Sequence, residues 1–204
     1  MEQERSDHHG VVRCPWAGPH DDYRAYHDNE WGRPVVEEAA LFERLCLEGF
    51  QAGLSWLTVL RKRDRFREVF AGFDPAMVAQ YGETEVELLL GDAGIIRHRG
   101  KIESTINNAA RCLKLAEQFG SLATWLWSWE PDQSVREIDG SIPASTPASA
   151  ALSRDLKKRA WSFVGPTTIY AFMQAVGMVN DHLPDCLAHP VVEAERAALL
   201  RPVR

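Results

Sequence analysis

Lys101-Ile102-Glu103-Ser104-Thr105-Ile106-Asn107-Asn108-Ala109-Ala110-Arg111-Cys112-Leu113-Lys114-Leu115-Ala116 is the stretch whose reading decides the fold class. Ile102, Ile106, Ala109, Leu113 and Ala116 recur at the 3.6-residue period of a helix with one buried face. Upstream, Leu41, Phe42, Leu45 and Cys46 repeat that stripe in a helix predicted over 37–47, with Gly49 and Gly53 punctuating the chain after it. A second helix is predicted from Ser55, its N-cap, to Phe70. Asp74 reads as the cap of a helix with Pro75 in first position, and Thr84 with Glu87 as a capping box. Downstream lie a Trp-rich helix over 121–129, a linker-like stretch over 141–147, and helices over about 149–159 and 167–177. No run alternates apolar and polar residues and no repeat is present, so the chain is all-α.

The 204 residues suffice for one or two small domains with a real core. Hydrophobic residues at 45% and charged residues at 25% are those of an ordinary globular protein, and no apolar run is long enough to span a membrane. The first ten residues are polar and acidic, without the apolar segment of a secretory signal. Residues 1–12 are expected to form a disordered tail, 13–188 a single compact unit and 189–204 a C-terminal tail; the expected location is the cytoplasm and the expected state a monomer.

A net charge of −6 argues against a protein that grips nucleic acid, unless the positive charge is clustered. It is clustered in three runs: Arg61-Lys62-Arg63-Asp64-Arg65-Phe66-Arg67, Arg97-His98-Arg99-Gly100-Lys101 and Lys157-Lys158-Arg159. Solvated helix ends would look the same, because cations favour helix C-termini.

Cys46 and Cys112 lie in apolar helical patterns, where a thiol behaves as a small hydrophobe. Cys14 and Cys186 differ, each having histidines nearby. His182 and Cys186 are four apart and share one face if helical; Cys14 and His27 would supply the other half. Two thiolates and two imidazoles make a closed tetrahedral zinc site, structural because no position is left for water. Unrelated cysteines and histidines stay open as the alternative, since His20 and His189 show that spare ones occur.

Glu48 follows Leu41 by seven and Leu45 by three, on the core-facing stripe, where a carboxylate is costly unless paired. Either the helix frays at Gly49 and Glu48 reaches solvent, or Glu48 lines a pocket for a cation. Trp16, Tyr23, Tyr26, Trp31 and Trp56 are available to complete such a cage. Phe163-Val164-Gly165-Pro166-Thr167-Thr168, between a basic and an apolar helix, reads as a tight turn whose backbone N–H groups suit a phosphate.

Five stretches together resemble the DNA-3-methyladenine glycosylase I family, the constitutive bacterial type. They are Tyr26-His27-Asp28-Asn29-Glu30-Trp31-Gly32, Cys46-Leu47-Glu48-Gly49-Phe50-Gln51-Ala52-Gly53-Leu54-Ser55-Trp56, Asp92-Ala93-Gly94-Ile95-Ile96-Arg97-His98-Arg99-Gly100-Lys101-Ile102, Phe172-Met173-Gln174-Ala175 and the run from Gly177 to His182. The resemblance extends from about Cys14 to Cys186. It implies a helix-hairpin-helix glycosylase fold, with the hairpin at 163–168 and zinc on Cys14, His27, His182 and Cys186 joining the two ends of the chain. Related glycosylases usually carry a second glycine where Thr167 stands.

The resemblance further implies excision of 3-methyladenine from double-stranded alkylated DNA, with the free base as product. The alkylated base is a cation whose glycosidic bond is already activated, so flipping and holding it matter more than a general acid. Glu48, Tyr26 and Trp56 are then the catalytic candidates, Trp16 and Tyr23 the base-binding ones, and Gln51, Leu54, Gly165 and Thr167 the DNA-binding ones. Asp181 stands near the superfamily's usual aspartate, but the resemblance implies a family that works without it. Which of Arg97 and Arg99 touches DNA is left open. A non-catalytic DNA-binding module would need no Glu48 cage, and a zinc hydrolase would need an open metal position.

Overall fold

The computed structural model describes residues 10–132 and 141–203, so most of the expected N-terminal tail lies outside the described residues. Among those described, the chain forms α-helices, two short 3-10 turns (Pro15–Ala17 and Ala71–Phe73) and no strand. The helices are α1 (Asp21–Asn29), α2 (Glu38–Gln51), α3 (Trp56–Leu60), α4 (Arg63–Val69), α5 (Pro75–Val78) and α6 (Glu83–Gly91). After them come α7 (Arg99–Phe119), α8 (Leu122–Trp127), α9 (Pro147–Lys158), α10 (Pro166–Ala175) and α11 (His189–Ala198).

Several caps are those read from the sequence. Ser55 accepts from the Thr58 N–H, and Asp74 accepts from the Ala76 N–H ahead of Pro75. Four expectations change. The helix expected over 55–70 is two, broken at Arg61-Lys62. Helix α6 starts at Glu83, and the residue reaching back to its N-cap is Glu85, whose Oε2 accepts from the Gly82 N–H at 2.7 Å, rather than Glu87. The stretch from 189 onward, expected as a tail, carries α11 with Val192 fully buried. Val12, expected within the tail at the other end, accepts from the Leu187 N–H at 3.0 Å.

Buried residues from Tyr26 to Val179 form one continuous core. Phe50, Phe66, Phe70 and Phe73 stack through it, with successive ring centroids 4.5, 6.1 and 5.5 Å apart. Helix α7 threads this core, but its buried face is rotated from the expected one: Thr105, Ala109 and Cys112 are inside, whereas Ile106 and Leu113 are half-buried. Of the polar members of that face, Thr105 donates to the Lys101 carbonyl at 3.1 Å within the helix, and the other two are satisfied by the start of the hairpin. Ser104 and Asn108 donate to the Ser162 carbonyl at 3.1 and 3.0 Å, and Asn108 accepts from the Ser162 N–H at 3.0 Å.

The turn between α9 and α10 is thereby locked onto α7. Ser153 adds a bond to the Val164 carbonyl at 2.6 Å, and Phe163 adopts a positive φ of 54° at the corner. Close backbone approach is decisive at Gly177, where φ is 76° and a Cβ would stand 2.6 Å from Gly32 O and Pro34 N.

Candidate active site and metal centre

Helix α2 continues unbroken through Gly49 to Gln51, so Glu48 does not fray into solvent. Its carboxyl group is buried, and Oε2 has no hydrogen-bond partner among the described residues. Burial pushes the Glu48 pKa up to about 8, opposed by the guanidinium of Arg44 one turn back on the same helix. That guanidinium is committed elsewhere, donating to the Ala175 carbonyl.

Glu48 lines a cavity of about 250 Å³. Trp16, Tyr23, Tyr26, Trp31 and Trp56 form its aromatic walls, and Gln51, Ile142, Ala171 and Gln174 complete it. All five aromatics named from the sequence therefore meet here. Tyr26 and Trp56 have ring centroids 5.3 Å apart, and Trp16 lies 5.2 Å from Tyr23 and 4.8 Å from Trp31. Burial, and next to it the Glu48 carboxylate, raises the pKa of both Tyr23 and Tyr26, so both stay neutral phenols. The result is a pocket with aromatic walls, their rings tilted 43–74° to one another, and one acidic group, suited to a delocalised cation.

Behind this wall stand Cys14, His27, His182 and Cys186, all buried, with ligand atoms within 4.8 Å of one another. Sγ–N separations are 3.7 Å for Cys14–His182, 3.5 Å for Cys186–His27 and 3.6 Å for Cys186–His182. Tetrahedral bonding at the usual metal–sulfur and metal–nitrogen lengths places S and N about 3.6 Å apart, so the four donors fit one metal ion. Supporting bonds fix the tautomers this requires. His27 Nδ1 lies 2.7 Å from Asp28, which Arg13 grips at 2.8–3.0 Å, leaving Nε2 for the metal. His182 Nε2 lies 3.0 Å from the Trp31 carbonyl, leaving Nδ1. Trp16 joins both sites, its ring 5.0 Å from His27 and packed on the pocket aromatics.

The remaining sequence candidates lie on the protein's rim. Gln51 ends α2 inside the pocket, whereas Leu54 projects from the next turn, 42% exposed and outside the lining. Lys101 holds that turn, donating to the Phe50 and Ala52 carbonyls at 2.7 Å each. Gly165 caps α10 with an ordinary φ of −63°, and a Cβ there would meet only Thr168 Oγ1 at 3.9 Å. Thr167 is exposed in the first turn of α10.

The basic runs resolve differently from one another. Arg61 pairs with Asp22, Arg63 with Glu43 and Glu30, Arg65 with Asp92 and Glu68, and Arg67 with Glu43. Arg99 is enclosed by Glu83, Glu87 and Glu103. Lys157 and Lys158, exposed at the end of α9 before the hairpin, have no such partner among the described residues. Gln174 lies in the Phe172-Met173-Gln174-Ala175 stretch that carries the resemblance, but the sequence reading gave it no role in the site. A lone glutamine in an apolar helix carries no periodic signal, and only the fold shows that it faces the pocket.

A hairpin locked between two helices, an aromatic pocket with a buried acid and a Cys2His2 cluster that fits a metal ion define, among the described residues, an all-helical protein built around a ligand pocket. The methyladenine glycosylase family model matches residues 16–189. The chain is 49% identical to DNA-3-methyladenine glycosylase 1 of Escherichia coli (strain K12), over 88% of this chain and 98% of that protein. It is 44% identical to DNA-3-methyladenine glycosylase of Haemophilus influenzae, over 86% and 97%. Among solved structures it is similar to a crystal structure of 3-methyladenine DNA glycosylase I, with a TM-score of 0.82, 50% identity and coverage of 87% and 100%. The enzyme from Staphylococcus aureus gives a TM-score of 0.82 at 36% identity, over 87% and 96%. The chain belongs to the methyladenine glycosylase family.

Proposed function

We propose that this protein is a DNA repair glycosylase that flips 3-methyladenine out of alkylated duplex DNA and hydrolyses its N-glycosidic bond. One observation carries the reading: a buried carboxyl group, that of Glu48, whose Oε2 has no hydrogen-bond partner among the described residues, inside an aromatic pocket. Such a group is unfavourable in the free protein and becomes favourable when a cation enters. The names of the relatives supply the substrate class.

Glu48 then faces the flipped base, Tyr26 orients it, and Trp56, Trp16 and Tyr23 stack on it. The positive charge on the alkylated base supplies the driving force, so departure leaves a neutral purine and needs no acid. Gln51 and Leu54, at the rim, fill the space that the base vacates. Gly165 and Thr167 offer N–H groups to the DNA backbone, with Lys157 and Lys158 adding charge. Every group comes from one chain, so a monomer suffices.

The metal is zinc, held by Cys14, His27, His182 and Cys186. Four Cys/His donors leave no position for water, so its role is structural. It ties α1, which carries Tyr26, to the segment after α10.

Release of 3-methyladenine from methylated duplex DNA tests the reading. Glu48→Gln keeps the shape and removes the charge. Loss of a charge-assisted hydrogen bond costs about 1.5–3 kcal/mol, or roughly one to two decades of rate. An unaltered protein that releases no 3-methyladenine, or a variant at full rate, refutes the proposal.

A further inference from the structure

Gln174 stands in the last turn of α10 and lines the pocket together with Ala171 one turn earlier. Its Nε2 donates to Asp181 Oδ2 at 2.8 Å, and the Tyr170 hydroxyl donates to the same oxygen at 2.7 Å. Tyr170 and Gln174 are four apart, so both reach Asp181 from one face of the helix. Asp181 is 1% exposed, which holds this arrangement out of water.

An oxygen that takes two donors acts as an acceptor only, and it therefore dictates which end of the Gln174 amide turns toward it. The nitrogen end is used. The carbonyl Oε1 has no hydrogen bond within the described protein, yet it is not among the sealed, unpartnered atoms. Gln174 lines the pocket while its Nε2 is turned to Asp181, which leaves Oε1 as the end of the amide with an acceptor to spare.

We propose that Gln174, locked in one amide orientation by Asp181 and Tyr170, reads position 6 of the flipped purine, accepting a 6-amino group and rejecting a 6-oxo group. The inference rests on the base-excision reading. N3-methylated adenine and N3-methylated guanine are both flat cations, and neither aromatic stacking nor charge separates them well. They differ at position 2, where only guanine carries an amino group, and at position 6, where one offers N–H donors and the other a carbonyl. Glu48 can meet either, because a carboxyl group can keep or give up its proton. An amide pinned by Asp181 cannot turn over, and it meets the 6-oxo group with lone pair against lone pair. A site built to bond an amine rejects the analogue lacking it far better than an apolar wall does.

Duplex DNA methylated to contain both lesions lets one reaction report both rates, once the released bases are separated chromatographically. The unaltered protein is expected to favour 3-methyladenine. Gln174→Met keeps the length and removes the acceptor. It should lower 3-methyladenine release about 10- to 100-fold without a matching loss for 3-methylguanine. Asp181→Asn presents an amide that can donate to Oε1 and release the lock, and it should collapse the same ratio. Melting temperature and metal content identify a variant that has not folded, and either variant decides alone. The native ratio in a folded variant, or an equal fall in both rates, overturns the proposal. If the unaltered protein releases neither base, the base-excision reading fails instead.

Discussion

Glu48 costs the folded protein stability where it sits, and the sign of that effect is testable. Burial holds its carboxyl at about 8 in the folded chain, against its ordinary 4.5 when exposed. Between those values the unfolded chain gives up a proton that the folded chain retains. This group's contribution to stability therefore falls as pH rises from about 4.5 to 8, then levels off. Glu48→Gln removes that dependence. The variant should melt close to the unaltered protein at about pH 5 and at a higher temperature at about pH 8, while excising the base more slowly at both. Thermal unfolding at the two pH values checks this; a variant that melts lower at the higher pH would mean that Glu48 is paired in the core. Stability and activity moving in opposite directions mark a group kept for its ligand.

Two glycines separate function from folding at the level of the elements. Gly177 has its backbone pressed against Gly32 and Pro34 at a positive φ, so Gly177→Ala should cost at least about 2 kcal/mol by denaturant unfolding. Gly165 has an ordinary φ and open space, so Gly165→Ala should unfold like the unaltered protein. If a DNA phosphate approaches the start of α10, that variant should still bind duplex several-fold more weakly. Unchanged affinity would move the DNA backbone elsewhere. The basic runs divide in the same way. Arg99, bound to three carboxylates, should be replaceable by Ala with little change in DNA affinity, whereas Lys157→Ala with Lys158→Ala should weaken binding and flatten its salt dependence. Binding titrations at about 50 and 200 mM salt distinguish these outcomes.

At the scale of the whole molecule the Cys2His2 centre closes the chain. It joins α1 to the segment after α10, and it backs the aromatic wall through Trp16, His27 and Trp31. Binding a structural ion is folding free energy, so chelation or Cys186→Ser should lower the melting temperature far more than it lowers the excision rate per folded molecule. Elemental analysis of the purified protein should find one zinc per chain. Full stability in Cys186→Ser, or no bound metal, would remove the assignment.

Helical periodicity, the breaks at Gly53 and Pro75 and the Ser55 and Asp74 caps were legible in the sequence, because each depends on neighbours within one or two turns, whereas Gly49, read as a break, lies inside α2. So were the aromatic candidates and the Cys/His set, with the family resemblance turning one open alternative into an expected site. Long-range partnership lay beyond sequence reading. Three basic runs look alike as strings, yet Arg99 is neutralised by Glu83 and Glu87 from another helix, while Lys157 meets no carboxylate among the described residues. Ser104 and Asn108 look like a solvent face of α7 until the Ser162 backbone arrives to satisfy them. Gln174 is held in one orientation only when Asp181 folds back beneath it. Local pattern encodes which residues turn together into helices. Which charges cancel and which polar groups face the pocket depends on contacts between residues far apart in the chain, and those exist only once it has packed.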